Sequence, residues 1–268
     1  MIVSILGCGW YGKALAASLV ADGVVVKGSS TSAEKLGALA ETGIIPYVVN
    51  FNAESEELQP GFFECDVLVI SIPPKTRQGE GNIYLLKIEK IITEIRKFGI
   101  KKVIYISSTG VYGETNRHLD EDDLPEPDSE SGKVLLDAET LFRRSADFKT
   151  AIIRFAGLVG KERYPGRFFA GKTDIPNGQA PVNLIRLDDC IGITKAVIEK
   201  DEFQITLNAV CPHHPPKSKF YESAAAQGGF TAPKFIDELN SWKIINSSYV
   251  SSLLDYEFSV MNWDIAEF

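Results

Sequence analysis

Three glycines near the start of the chain have the spacing G-x-G-x-x-G, in the run Gly7-Cys8-Gly9-Trp10-Tyr11-Gly12. The run follows the predicted strand Ile2–Leu6 and opens the predicted helix Lys13–Ala21, a context that gives the pattern a physical meaning. The first glycine permits a tight turn, the second lets a diphosphate approach the backbone, and the third lets helix and strand pack closely. Free N–H groups at the helix start attract phosphates. The sequence therefore predicts NAD or NADP binding, with these contacts: Gly7, Gly9, Trp10, Tyr11 and Gly12.

The residues after the second predicted strand, Val24–Lys27, indicate which dinucleotide binds. In NAD-binding chains a carboxylate about 20 residues beyond the glycines binds the ribose 2′-hydroxyl. This chain has the hydroxyl-rich run Gly28-Ser29-Ser30-Thr31-Ser32 there, and the first acid is Glu34. Hydroxyl groups can donate to a 2′-phosphate, and Lys27 is the nearby cation, although the arginine usual at such sites is missing. The run favours NADP over NAD, with contacts from Ser29, Ser30 and Thr31.

Strand-like and helix-like segments alternate along the chain, as in a parallel sheet covered by helices on both faces. The other strands are predicted at Val48–Phe51, Asp66–Ile72, Val103–Ser107, Ala151–Phe155 and Ile205–Val210. The other helices are predicted at Ala33–Thr42, Tyr84–Phe98, Lys133–Ser145, Asp188–Lys200 and Lys217–Gln227. The acidic, proline-rich stretch Glu114–Gly132 is predicted as a surface loop, and the glycine-rich stretch Gly157–Ala180 as loops around a pocket. The predicted fold class is α/β, a Rossmann-type doubly wound parallel sheet.

The end of the fifth predicted strand reads Ser107-Ser108-Thr109-Gly110-Val111-Tyr112-Gly113. This segment resembles the SS-x-x-VYG segment of extended, atypical short-chain dehydrogenase/reductases, the NAD-dependent epimerase/dehydratase family. Three further segments occur in the family's order, so the resemblance covers nearly the whole chain: Ser71-Ile72-Pro73-Pro74, Arg154–Gly160 and Asn183–Asp189. The resemblance implies a dinucleotide-binding domain over residues 1–155 and a smaller substrate-binding region over 156–268, partly interleaved with it. It also implies cofactor contacts from Ser71, Ile72 and Pro73.

The family performs hydride transfer at the nicotinamide with a Ser/Thr, Tyr and Lys set. By position, Ser108 matches the residue that hydrogen-bonds the reacting oxygen. Lys133 matches the lysine of Y-x-x-x-K, which binds the nicotinamide ribose and lowers the pKa of the neighbouring phenol. The tyrosine position is Ser129. Because a serine hydroxyl is a far weaker acid than a phenol of pKa about 10, the family's proton transfer does not carry over directly.

The departure at Ser129 leaves two functions open. The first is an NAD(P)-dependent oxidoreductase, epimerase or dehydratase whose proton comes from Tyr112, from Tyr164 or from the substrate itself. The second is a non-catalytic NAD(P)-binding redox sensor or regulatory protein. The sequence does not choose between these alternatives.

Residues around the predicted reaction site suggest a small-molecule substrate. The resemblance implies substrate contacts from Thr109 and Tyr112, which follow Ser108. Arg163 and Arg167 lie in the glycine-rich stretch, where their charge suits an anionic substrate such as a nucleotide-sugar or a carboxylate. A role as solvated surface charge explains the two arginines equally well. Family members are often dimers, so a homodimer is an open expectation.

Composition argues against several other classes of function. The formal net charge of -8 repels a polyanion, so nucleic acid is not an expected partner. The apolar run Ile2–Leu6 is too short for a membrane span or a signal segment, so the expected location is the cytoplasm. The four cysteines are widely spaced, which predicts free thiols rather than disulfides or a zinc site. Adjacent His213 and His214 point in opposite directions in an extended segment, so no metal is predicted.

Overall fold

The structure, a computed structural model, describes residues 1–51, 56–74, 76, 79 and 81–268. Within these ranges, eight strands form one sheet with the order β11-β8-β6-β5-β1-β2-β3-β4. Seven of them are parallel, and β4 pairs antiparallel with β3 at one edge. The strands are β1 Ile2–Leu6, β2 Val25–Ser30, β3 Ile45–Phe51, β4 Glu56–Leu58, β5 Val67–Ile70, β6 Lys102–Ser108, β8 Lys149–Phe155 and β11 Thr206–Ala209. The predicted fold class is confirmed.

The sheet is parallel because its central strands are apolar on both faces. All four residues of β5 are buried, and β8 is buried from its second residue onward. A strand with helices on both faces needs a nearly continuous apolar sequence, which these strands have. The helices are α1 Trp10–Ala21, α2 Leu36–Ala40, α3 Gly81–Lys97, α4 Glu130–Arg143, α5 Leu187–Glu199, α6 Lys217–Gln227 and α7 Ser248–Leu254.

Several predicted boundaries differ from the structure. Helices α1 and α4 each begin three residues earlier than predicted, at Trp10 and Glu130. Strand β2 continues to Ser30, so most of the hydroxyl-rich run belongs to the sheet. The predicted helix Ala33–Thr42 is a 3-10 turn at Ala33–Lys35 followed by the short α2.

Two short parallel pairs lie outside the main sheet. β7, Arg117–Leu119, pairs with β12, Lys243–Ile245, so the prediction of a loop throughout residues 114–132 was wrong in part. β9, Gly157–Val159, pairs with β10, Leu184–Arg186, inside and just after the glycine-rich stretch. Strand β11 extends the main sheet although it lies in the C-terminal half of the sequence, and the division of the chain at residue 155 stays a prediction.

A buried ionic network joins β6, β8 and α4 behind the carboxyl ends of the strands. Arg154 is 1% exposed and donates to Glu139 through Nε at 3.0 Å and Nη2 at 2.7 Å. Its Nη1 donates to the Tyr112 hydroxyl at 2.6 Å, and Ser107 Oγ donates to Glu139 Oε1 at 2.6 Å. Removing one partner of such a pair would leave a buried charge without compensation, which costs several kcal/mol. The partners must therefore stay together, and this holds β6, β8 and α4 in fixed relative positions. None of the helices in the described ranges is long and apolar enough to span a membrane.

Candidate functional site

A crevice lies at the carboxyl ends of the parallel strands, between β1 and β5, where the strand order reverses. It consists of two adjoining cavities of about 240 Å³ and about 320 Å³, here called the first half and the second half. The two halves share the residues Gly7, Gly9, Ile72 and Pro73. A crevice at this switch point is where doubly wound sheets bind their ligands.

The glycine loop forms the junction between the halves. Gly7 has φ of +99°, a conformation that other residues rarely adopt, and a Cβ at Gly12 would collide with the Gly7 carbonyl oxygen. A Cβ at Gly9 would meet nothing within 4 Å. Gly9 therefore leaves open space in the crevice at the start of α1, whose first turn contains no acidic residue. This cradle fits a diphosphate bound by the free N–H groups of the helix.

The first half extends from the glycine loop over the ends of β2 and β3. Ser29 is 2% exposed, and its Oγ accepts from Gly7 N at 3.0 Å, so it supports the loop. Ser30 and Thr31 line the cavity as predicted contacts should, and Lys35 lines it with them.

The predicted cation of this half, Lys27, is turned away from the crevice. It is buried, and its Nζ donates to the carbonyl oxygens of Gly61 and Glu64, at 2.6 Å in both cases. Lys27 precedes the end of β2, Ser29 and Ser30, that lines the crevice, and the buried turn that it reaches offers two acceptors. Lys35, which the sequence pattern did not single out, lies in the 3-10 turn Ala33–Lys35 and lines the first half.

The second half is mainly apolar. Its lining beyond the glycine loop consists of Ser71, Ile72, Pro73, Pro74, Ile106, Ser107, Ser108, Leu135, Phe155, Ala156, Leu158 and Arg163. The hydroxyls of Ser71 and Ser107 donate to protein acceptors, Gly7 O at 2.8 Å and Glu139 Oε1 at 2.6 Å. Ser108 Oγ instead accepts from Gly110 N at 3.1 Å, and among the described residues no acceptor takes its proton. The Ser108 hydroxyl is therefore able to donate to a ligand.

The structure does not bring Ser129 and Lys133 into the crevice. Ser129 is exposed and caps α4, accepting from Gly132 N at 3.1 Å. Lys133 is exposed on α4 and lines neither half. The residue of α4 that lines the second half is Leu135.

Residues four apart share one face of a helix, so Ser131 occupies the position one turn before Leu135. The packing of α4 on the loop after β6 fixes this orientation, because a Cβ at Gly132 would collide with the Gly110 carbonyl oxygen. A tyrosine and a lysine spaced as Y-x-x-x-K would therefore reach the crevice from positions 131 and 135. Only Gly132 in the sequence could have indicated this register.

The predicted alternative proton donors also lie outside the crevice. Tyr112 is 1% exposed, and its hydroxyl contacts Arg154 and donates to Asp120 O at 2.8 Å. Burial raises the pKa of the Tyr112 phenol. Thr109 is buried, and neither Tyr112 nor Thr109, the two predicted substrate contacts, lines either half. Tyr164 packs against the rings of Phe230 and Phe268.

The two predicted substrate arginines have different surroundings. Arg163 lines the second half, with its guanidinium 4.5 Å from the centre of the Trp10 ring. Arg167 lies over Phe230 at 5.4 Å and lines neither half. In the described parts of the chain, no three His, Cys, Asp or Glu side chains come close enough together to hold a metal ion.

Comparison with known proteins agrees with this geometry. The sequence model of a family described as NAD(P)H-binding matches residues 7–183. The chain belongs to this NAD(P)H-binding family. The match begins at the first glycine of the loop and extends beyond Arg163, so it includes all the residues that line the two halves of the crevice except Leu6.

This member of the NAD(P)H-binding family is 35% identical over 263 residues to Protein YeeZ of Escherichia coli K12, an alignment that covers 96% of this chain and 95% of the relative. A conserved protein of unknown function from Silicibacter pomeroyi superposes with a TM-score of 0.81 at 19% identity, covering 98% of this chain and 95% of that one. UDP-glucuronic acid 4-epimerase from Bacillus cereus, solved with NAD, superposes with a TM-score of 0.80 at 19% identity, covering 97% and 92%. The chain shares its fold with both of these solved structures.

Proposed function

We propose that this chain is an NADP(H)-dependent oxidoreductase of the epimerase/dehydratase type, acting on a small substrate beside Ser108. The proposal depends on one observation. The two adjoining halves of the crevice together extend from Ser30 and Thr31, past the open backbone at Gly9, to Ser108. This path has the order in which a dinucleotide presents its adenosine, its diphosphate and its nicotinamide.

The bound dinucleotide would supply or accept the hydride, and the protein's own groups do the rest. Ile106, Leu135 and Phe155 form apolar walls of the second half. The Ser108 hydroxyl, whose proton is not donated to a described protein acceptor, hydrogen-bonds the reacting oxygen of the substrate. A serine of ordinary acidity does not complete a proton transfer near neutral pH, so the proton comes from water or from the substrate.

The substrate proposed is a small molecule that carries an anionic group. The MoeE5 structures, solved with UDP-glucose or UDP-glucuronic acid and NAD, superpose on this chain with a TM-score of 0.78. Their ligands make a nucleotide-sugar one candidate, and a carboxylate is the other.

The preference for NADP is attributed to Lys35 together with Ser30 and Thr31. All three line the first half, where the adenosine ribose would lie. We expect Lys35→Ala to weaken NADPH binding by about tenfold and to change NADH binding by less than about twofold, because the cation contacts only the 2′-phosphate. Calorimetric titration of both cofactors measures the two effects. Lys27→Ala is unsuitable as a control because it empties a buried site, so Lys13→Ala, on the exposed side of α1, serves instead. Equal losses for the two cofactors would contradict the assignment.

A second function is favoured by Leu135. An apolar side chain stands where the family's ammonium would bind the nicotinamide ribose, and Ser131 stands at the phenol position one turn earlier. With both groups replaced, the chain would bind NADP(H) and report its redox state without turnover. This regulatory function uses the same cofactor site as the oxidoreductase and differs from it only in the chemistry beside Ser108.

Titration of the purified chain with NADPH, followed by a panel of carbonyl compounds and nucleotide-sugars, separates the two functions. Oxidation of NADPH that falls at least about tenfold in Ser108→Ala supports the oxidoreductase. Tight binding without turnover on any compound supports the regulatory protein. Failure to bind either cofactor would contradict both.

A further inference from the structure

We propose that Arg163, stacked on Trp10, is the cation that binds the diphosphate of the dinucleotide. The inference deepens the proposed function and depends on it. It assigns Arg163 to the cofactor, whereas the sequence suggested a contact with the substrate.

Three residues of the turn that carries Arg163 contact the Trp10 indole. A Cβ at Gly160 would lie 3.1 Å from the Trp10 ring, so the backbone of the turn packs directly against the indole. Glu162 Oε2 accepts from Trp10 Nε1 at 2.9 Å, at the edge of the indole. The Arg163 guanidinium covers the ring face, with its centre 4.5 Å from the ring centroid.

The turn itself is held in shape by an antiparallel bridge between Gly160 and Arg163, in which Gly160 N donates to Arg163 O at 3.3 Å. The backbone of Arg163 is therefore fixed, and stacking on the indole restricts its side chain. A guanidinium ordered in this way loses less conformational freedom when it binds an anion.

Trp10 is the first residue of α1, so these contacts place the guanidinium beside the helix start, where phosphates bind. Arg163 lines the second half together with Gly7, Gly9 and Gly12, the three glycines of the loop. The diphosphate is thus expected to lie between the helix N–H groups on one side and the guanidinium on the other.

Charge supports the same assignment. The residues Gly7–Gly12 contain no cation, and Arg163 is the only Lys or Arg among the described residues that line the second half. No carboxylate in the described part of the chain forms an ion pair with Arg163, and the neighbouring Glu162 is occupied by the Trp10 N–H. The guanidinium therefore has its fork of donors available for phosphate oxygens, which it binds in a bidentate manner.

The test compares ligands that differ in the diphosphate. Adenosine 2′-monophosphate lacks the diphosphate, 2′-phospho-ADP-ribose has the diphosphate without the nicotinamide, and NADPH has both. The same three ligands without the 2′-phosphate form a second series, in which a preference for NADP over NAD cannot affect the result. The variant Arg163→Met keeps an unbranched apolar stem for packing on Trp10 and removes the charge. Arg167→Met is the matched control, because Arg167 stacks on Phe230 outside the crevice.

We expect Arg163→Met to weaken both diphosphate ligands by a similar factor, at least about tenfold, and to leave the monophosphate unchanged. The salt dependence of NADPH binding should also become shallower, while Arg167→Met changes none of these affinities. Unchanged binding of 2′-phospho-ADP-ribose in Arg163→Met would overturn the inference, and so would a loss confined to substrate, which would return Arg163 to substrate binding. If the wild-type chain binds no ligand of the series, the proposed function itself fails.

Discussion

Gly9→Val should weaken NADPH binding at least about a hundredfold while the protein remains folded. A Cβ at this position meets no protein atom within 4 Å and projects into the space that the diphosphate would occupy. The backbone of Gly9 is extended, with φ of -75° and ψ of -156°, and so lies outside the left-handed region that favours glycine. Loss of a favourable residue at the helix N-cap costs about 1 kcal/mol, so thermal unfolding should shift only modestly. Calorimetric titration and a thermal melt measure the two quantities.

Valine substitutions at two other glycines serve as comparisons for Gly9→Val. Gly37→Val is a matched control on α2, because a Cβ at Gly37 also meets nothing within 4 Å and the residue lines neither half of the crevice. Gly12→Val should instead destabilise the fold, since its Cβ collides with the Gly7 carbonyl oxygen. Undiminished NADPH affinity in Gly9→Val would show that the diphosphate does not cross the glycine loop.

The double variant Ser131→Tyr, Leu135→Lys should raise NADPH-dependent carbonyl reduction by at least about a hundredfold. It places a phenol and an ammonium one helical turn apart on the face of α4 that lines the second half. The ammonium lowers the pKa of the phenol, and the phenol supplies the proton that Ser108 cannot. Turnover under saturating NADPH measures the gain, and circular dichroism shows whether the lysine at buried position 135 is tolerated.

The control for the double variant is Ser129→Tyr. Together with the native Lys133 it restores the Y-x-x-x-K pattern in the sequence, but at positions that lie outside the crevice. Both positions are exposed and lie outside the crevice, so we expect no gain in turnover and a loss of about 1 kcal/mol from the missing helix cap. A gain in Ser129→Tyr without one in the double variant would show that the helix presents the other face to the substrate. A fall in turnover in the double variant would show that the native site has its own proton route.

The sequence predicted the sheet and the glycine loop well because both depend on local signals. Apolar runs such as Val67–Ile70 predict buried strands, and three glycines between a strand and a helix predict a phosphate site. The orientation of α4 could not be predicted in this way. It depends on the close approach of Gly132 to the Gly110 backbone, and this contact joins residues that no local pattern relates.

The roles of individual polar residues were hardest to predict. Tyr112 lies next to the reaction site in sequence, yet the buried charge of Arg154 draws its hydroxyl into the interior. Lys27 was the expected cation, but two carbonyl acceptors bind it away from the crevice. Lys35, which no sequence pattern singled out, lines the first half from a 3-10 turn. Each outcome depends on partners distant in sequence.

The pairing of β7 with β12 has a consequence for the order in which the chain becomes structured during synthesis. Residues Arg117–Leu119 pair with Lys243–Ile245, which the ribosome adds roughly 125 residues later. At synthesis rates of about 5–20 residues per second, the acidic segment before α4 waits on the order of ten seconds for its partner strand. Strand β11 likewise joins the sheet only after most of the chain has emerged. The segment that leads into the α4 face of the crevice is therefore completed by a strand that is made much later than the segment itself.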